Sequence, residues 1–169
     1  MSQNHQPIDW TKFVRRIHIN KPIQQVYNAW TVPEQIEQWF LEKADYLQVN
    51  GEFRDKNNSY QKGDSYVWKW WGWEHLEKGD VLEANDIDHI TFTFSGGRVD
   101  ILLSSENDGT LITLLQSGIK TDEATKMNVY NSCCLGWSFW MVNLKAWLEH
   151  GITLNDKRKQ DIPHVVVNA

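Results

Sequence analysis

Apolar residues in this chain follow two rhythms. One is an alternation at every second position, the mark of a strand half buried in a sheet. The other recurs every three to four positions, the mark of a helix. The helical rhythm is strongest from Tyr130 to Gly151. Tyr130, Cys133, Trp137, Trp140, Met141, Leu144, Trp147 and Leu148 gather there into one stripe, roughly 140° wide when residues are spaced at about 100°. Asn131, Ser138, Asn143, Lys145 and Glu149 fall mostly outside it. Gly151 supplies a residue that can turn left-handed and end the helix. Such a helix is about 30 Å long, enough to cross a whole sheet.

The earlier chain reads in order. Lys12 to Ile19 alternates, with Phe13, Arg15, Ile17 and Ile19 on one side, and predicts a first strand. Asn20 is placed to cap a short helix, with Pro22 in its first turn. Ile23, Val26, Tyr27 and Trp30 then recur at helical spacing. Thr31, Val32, Pro33 and Glu34 read as a capping box that opens a second short helix, with Ile36, Trp39 and Phe40 on its apolar side. A weak strand over 44–49 leads into a polar loop over 50–62. The alternation then returns. It predicts a strand over 65–73 with Tyr66, Trp68 and Trp70 on one face, and another over 81–85. A third covers 89–95, with Ile90, Phe92 and Phe94 inward and Thr91 and Thr93 outward. A fourth carries Val99, Ile101 and Leu103, and a last one spans 110–117. Gly79-Asp80, Asp86 to Asp88, Gly96-Gly97 and Asn107 to Gly109 read as the turns between them.

Short connections make neighbouring strands antiparallel. An antiparallel sheet has one face to bury, and the last helix has a stripe to match it. The prediction is an α+β fold. An antiparallel sheet of about six to seven strands buries one face against the long C-terminal helix, and two short helices plug one end. One domain covers residues 1–151 and a tail covers 152–169. For the tail, the pattern leaves an edge strand, a packing arm and disorder open.

Composition adds one anomaly: 10 of 169 residues are tryptophan. They cluster at the first helices, at the strand over 65–73 and at the last helix, elements placed to meet in space. The net charge of −5 argues against sequence-independent nucleic-acid binding, which needs a basic face. No apolar run approaches the length of a membrane span, and the polar start lacks the pattern of a signal peptide. Cys133 and Cys134 are helix neighbours that diverge by about 100° and cannot readily pair. Absence of a disulfide framework fits a reducing compartment, so a cytoplasmic location is expected.

The run VRRIHINKPIQQVYNAWTVPEQIEQWF, then Gly79 to Glu83, Ile90 to Phe94, Gly109-Thr110, and Gly136-Trp137 with Leu144 and Leu148 occur in an order and spacing that resemble a known family. It is the START-like superfamily, also called SRPBCC or birch-pollen-allergen-like. Within it the chain is similar to the group named for the C-terminal domain of the activator of the heat-shock-protein-90 ATPase. The likeness covers about residues 12 to 151 and implies the helix-grip fold, a cavity for an apolar or aromatic ligand, and a stress-response setting.

No motif for covalent catalysis, phosphate cradling or metal ligation is present, so no catalytic residue, metal or cofactor is assigned. His75 and His89 read as turn or edge residues, and Cys133 as a small core hydrophobe. The candidate ligand-binding set is aromatic: Trp39, Phe40, Tyr66, Trp68, Trp70, Phe92, Phe94, Trp137, Trp140 and Met141. Whether those rings leave a cavity or fill it stays open. The expected partner is a hydrophobic small molecule. The resemblance offers an alternative, a protein-interaction module that stimulates a chaperone ATPase, and a more remote one, a cyclase or hydrolase.

Overall fold

The structure, a computed structural model, describes residues 8–157. Seven strands form one sheet: β1 (Phe13–Ile19), β2 (Lys43–Leu47), β3 (Ser65–Lys69), β4 (Leu76–Ala84), β5 (His89–Phe94), β6 (Gly97–Glu106) and β7 (Gly109–Ser117). Their spatial order is β1-β7-β6-β5-β4-β3-β2 and every pairing is antiparallel. Four consecutive hairpins, β3 to β7, follow from the short turns, and the loop between β2 and β3 pairs those two strands as well. The first two strands, by contrast, lie on opposite edges. Helices α1 (Ile23–Thr31) and α2 (Pro33–Trp39) carry the chain across between them. The final helix starts as one short α-turn, α3 (Glu123–Thr125), runs through a π-helical segment, Lys126–Tyr130, and continues as α4 (Asn131–His150). It lies beside β1 and α2. This is the α+β helix-grip arrangement the pattern predicts.

Gly151 ends α4 as expected, at φ 70°, with its N–H donated to Trp147 O at 2.8 Å. The start was misplaced: residues 123–129 carry too little apolar repeat to reveal the turns that precede Tyr130. Asn143 is the other correction. It is fully buried, because the chain after Gly151 folds back over the helix. Asn143 donates to Trp39 O and accepts from Leu154 N at 2.5 Å. As far as Lys157, the tail is therefore a packing arm. Its Val165 to Val167 run lies outside the described residues.

Several local readings are displaced. Asn20 caps nothing; Pro22 occupies that position, and the Asn20 N–H goes to Glu149 Oε1 at 2.7 Å. Thr31 belongs to the end of α1 and donates to Tyr27 O at 2.9 Å, so Val32 opens α2 without a capping box. The strand expected over 65–73 stops at Lys69, since Gly72 adopts φ 73° and the chain turns. The β5–β6 turn is Ser95-Gly96, both at positive φ, as a two-residue I′ turn requires. Thr91 is not outward in solvent. It is buried, and its hydroxyl donates to Asp100 on β6 at 2.9 Å. The loop over 50–62 is stitched down: Arg54 Nε meets the buried Asp64 at 2.5 Å, and Tyr60 stacks on Tyr46 at 4.6 Å.

Two glycines are explained by contact rather than by a turn. A Cβ at Gly109 would lie 2.4 Å from Ile19 O and 2.7 Å from the His18 ring. The adjacent Thr110 hydroxyl donates to Lys21 O at 2.8 Å, so Gly109-Thr110 docks β7 against the end of β1. Gly79 is no turn residue at all. It lies inside β4 opposite Tyr66, and a Cβ there would come within 2.6 Å of the Tyr66 hydroxyl and of Thr93 Oγ1.

The core lies between the sheet, α1–α2 and α4, and Phe40 is at its centre. Its ring touches Trp30, Trp39, Trp68, Trp70, Trp137 and Trp140, with centroids 5.1–6.4 Å apart. The residue is 2% exposed. Phe40→Ala is expected to cost about 3–5 kcal/mol. Gly79→Ala forces Tyr66 and Thr93 aside and is expected to cost about 1–3 kcal/mol by overcrowding. Urea denaturation of each variant checks both values, and a Gly79→Ala protein as stable as the wild type would exclude the close approach.

Candidate ligand cleft between sheet and helix

The strand period decides where rings end and space begins. On β3 the inward positions are Tyr66 and Trp68, and Trp70 follows them beyond the strand end; on β5 they are Ile90, Phe92 and Phe94. Tyr66, Trp68 and Phe92 lie under the middle of the sheet and are 1–3% exposed. Trp70 and Phe94, one step further towards the hairpin ends, are only partly buried. Beyond them the two hairpins and the first half of α4 enclose a cleft of about 660 Å³. Its walls carry Phe40, Trp70, Trp73, Phe94, Trp137 and Trp140, and Phe139, Leu135 and Gly136 complete the helix side. That volume falls within the range of small-molecule sites.

The ten candidate residues therefore divide. Phe40, Trp70, Phe94, Trp137 and Trp140 come together on the cleft wall. Trp39, Tyr66, Trp68, Phe92 and Met141 do not reach it. All five are core residues, 0–3% exposed. Trp39 Nε1 donates to Ala29 O at 3.0 Å, Trp68 Nε1 to the Tyr46 hydroxyl at 3.0 Å, and Tyr66 to Thr93 O. Their polar tips are thus satisfied within the fold, as buried polar groups must be. Trp137 is shared between the two sets: 2% exposed, it lines the cleft while its Nε1 donates to Gln116 Oε1 at 2.9 Å.

Five polar residues share the cleft wall with the rings. His75, Glu77, Ser95, Ser132 and Cys133 are the ones that line it. Glu77 Oε1 accepts from the Ser95 N–H at 2.9 Å. Burial pushes the Cys133 thiol up, against lowering contacts from Ser95 and Gln116, which leaves it a weak nucleophile. Burial likewise holds the Tyr66 phenol far above its ordinary value. Neither group is poised for proton transfer at neutral pH.

Sequence reasoning missed Trp73, His75, Glu77, Ser95, Ser132, Leu135, Gly136 and Phe139 as cleft residues, and read Cys133, which also lines it, only as a core hydrophobe. For the helix the signal was present: Ser132, Gly136 and Phe139 recur at four- and three-residue spacing beside the main stripe. For the loop it was not, because the alternation gives no warning that the chain turns at Trp70. A Cβ on Gly136 would meet nothing within 4 Å, so this position opens onto free space. Among the described residues no group of His, Cys, Asp and Glu is fit to hold a metal, and no helix is long and apolar enough to cross a membrane.

Comparison with known proteins bears on the frame around this cleft. No curated protein matches the chain. A protein from Staphylococcus saprophyticus superposes with a TM-score of 0.66 at 17% identity, over 85% of this chain and 95% of that one. The Aha1 dimer structure from Colwellia psychrerythraea gives 0.64 at 14% identity, over 83% and 97%. CalU16 from Micromonospora echinospora gives 0.58 at 21% identity, over 82% and 74%. At such identities these likenesses establish a shared fold. The model of the family described as Activator of Hsp90 ATPase homolog 1-like protein matches residues 20–149, and the chain belongs to that family, within the START-like superfamily.

Proposed function

We propose that the protein binds an apolar, aromatic small molecule in the cleft between the β3–β4 and β5–β6 hairpins and the first half of α4. The observation that carries this reading is a space of about 660 Å³ walled mostly by indole and phenyl rings, with few polar residues among its lining. Ring faces supply most of the contact area for a flat guest, and the few polar groups fix its orientation. The one acid–base pair on the cleft wall, His75 and Glu77, stands 3.8 Å apart, beyond hydrogen-bond reach, and the Cys133 thiol is pushed up, which favours binding over turnover.

Gly136 supplies the test. A Cβ there meets nothing within 4 Å, so a leucine is expected to extend into the cleft. The neutral apolar dye Nile red should bind the wild type at one equivalent with a blue-shifted emission. Gly136→Leu should lose about tenfold or more in affinity, a change of about 1.4 kcal/mol. The same variant should fold about 0.5–1 kcal/mol more stably, since glycine is a poor residue inside a helix. Unchanged dye affinity in Gly136→Leu would remove the cleft as the binding site.

A second reading has one observation of its own. Leu135 is 71% exposed and Val142 47%, and with the half-buried Phe139 they form an apolar ridge along α4 that runs from the cleft edge to Val142. A chaperone docking on this ridge would make the protein a stimulator of the chaperone's ATPase. Val142→Ser should then abolish stimulation of the Hsp90 ATPase without touching dye binding. An absence of stimulation by the wild type would dismiss this second role.

A further inference from the structure

We infer that the cleft selects its guest by charge and takes an amphiphilic molecule bearing a protonated amine, with the amine at Glu77 and the apolar body among the indoles. This deepens, and rests on, the reading of the cleft as a small-molecule site.

The argument starts from the charges on the wall. Glu77 contributes a carboxylate, and no lysine or arginine lines the cleft. The Glu77 side chain is only 18% exposed. One oxygen is fixed by the Ser95 N–H. The nearest cationic partner of the other is the His75 ring, 3.8 Å away on a side chain that is 73% exposed. Other sheltered carboxylates in this protein are treated differently. Asp64 faces Arg54, Asp100 faces Arg98, Asp45 faces Lys43 and Lys56, and Glu149 faces Lys145, all at 2.5–3.0 Å. A charge held away from water calls for a paired cation, and at Glu77 the fold supplies none that is permanent.

The surroundings suit an incoming cation. Trp70, Trp73, Trp137 and Trp140 line the same space, and an indole presents the most favourable ring face to an ammonium group. The field of Glu77 reaches across the wall. Burial is the main reason the Cys133 thiol is pushed up, and the Glu77 charge adds in the same direction. It acts likewise on the Tyr66 phenol. The same field opposes a carboxylate guest, which would place two negative charges in one sheltered site.

Three naphthalene probes of nearly equal shape separate the possibilities: 1-naphthylmethylamine, 1-naphthylmethanol and 1-naphthoic acid. Their affinities are measured calorimetrically at pH 7 with the full chain. The amine should bind about tenfold or more tighter than the alcohol, and the acid most weakly. Glu77→Gln keeps an acceptor for the Ser95 N–H, so its melting temperature should stay near that of the wild type. In that variant the amine should lose its advantage over the alcohol. Equal binding of amine and alcohol by the wild type, or an amine advantage that survives Glu77→Gln, would overturn the charge selectivity and leave the cleft intact. Failure of all three probes to bind, or binding unaffected by Gly136→Leu, would overturn both.

Discussion

One ring decides how this fold closes. Phe40 follows α2 directly, at the point where the short helices, the sheet and α4 converge. It stacks on Trp39 and meets Trp68, Trp137 and Trp140 edge-on or tilted. Aromatic pairs in such geometries add about 0.5–1.5 kcal/mol each beyond the area they bury. Three separate segments of the chain are thus tied at one side chain. The position of α4 over the sheet, and so the existence of the cleft, follows from that tie.

The cleft is what remains when this cluster runs out. Towards the middle of the sheet, Trp68 and Phe92 fill the space beneath the helix and are nearly inaccessible. Towards the hairpin ends, the rings at Trp70 and Phe94 are still large, but Gly136 faces them with no side chain. Close packing is the default state of a protein interior, so a gap of this size next to a dense aromatic core marks a place where the sequence withholds bulk.

Much of this could be read from the residues. The helix stripe from Cys133 to Leu144, its glycine stop, the antiparallel hairpins and the alternation of Phe92 and Phe94 are all periodic signals, and periodicity survives translation into structure. What failed were positions whose behaviour depends on a distant neighbour. Gly79 looked like a turn because nothing local reveals that Tyr66 lies across it. Asn143 looked solvent-facing because the returning arm that buries it comes later in the chain. The same limit divided the aromatic set: alternation places Trp68 and Trp70 on one face but cannot say which has the helix above it.

The π-helical segment from Lys126 to Tyr130 has a geometric corollary. Each wide turn of that kind takes up roughly one residue more than an α-turn. Angular phase is therefore reset at that point, by about 100° for a one-residue offset. A helical wheel drawn from α4 and extended backwards would assign residues 123–125 to the wrong side of the cylinder. The insertion works like a vernier: it lets the final helix present one azimuth to the sheet over its length while its leading turn, started by Asp122, points along another.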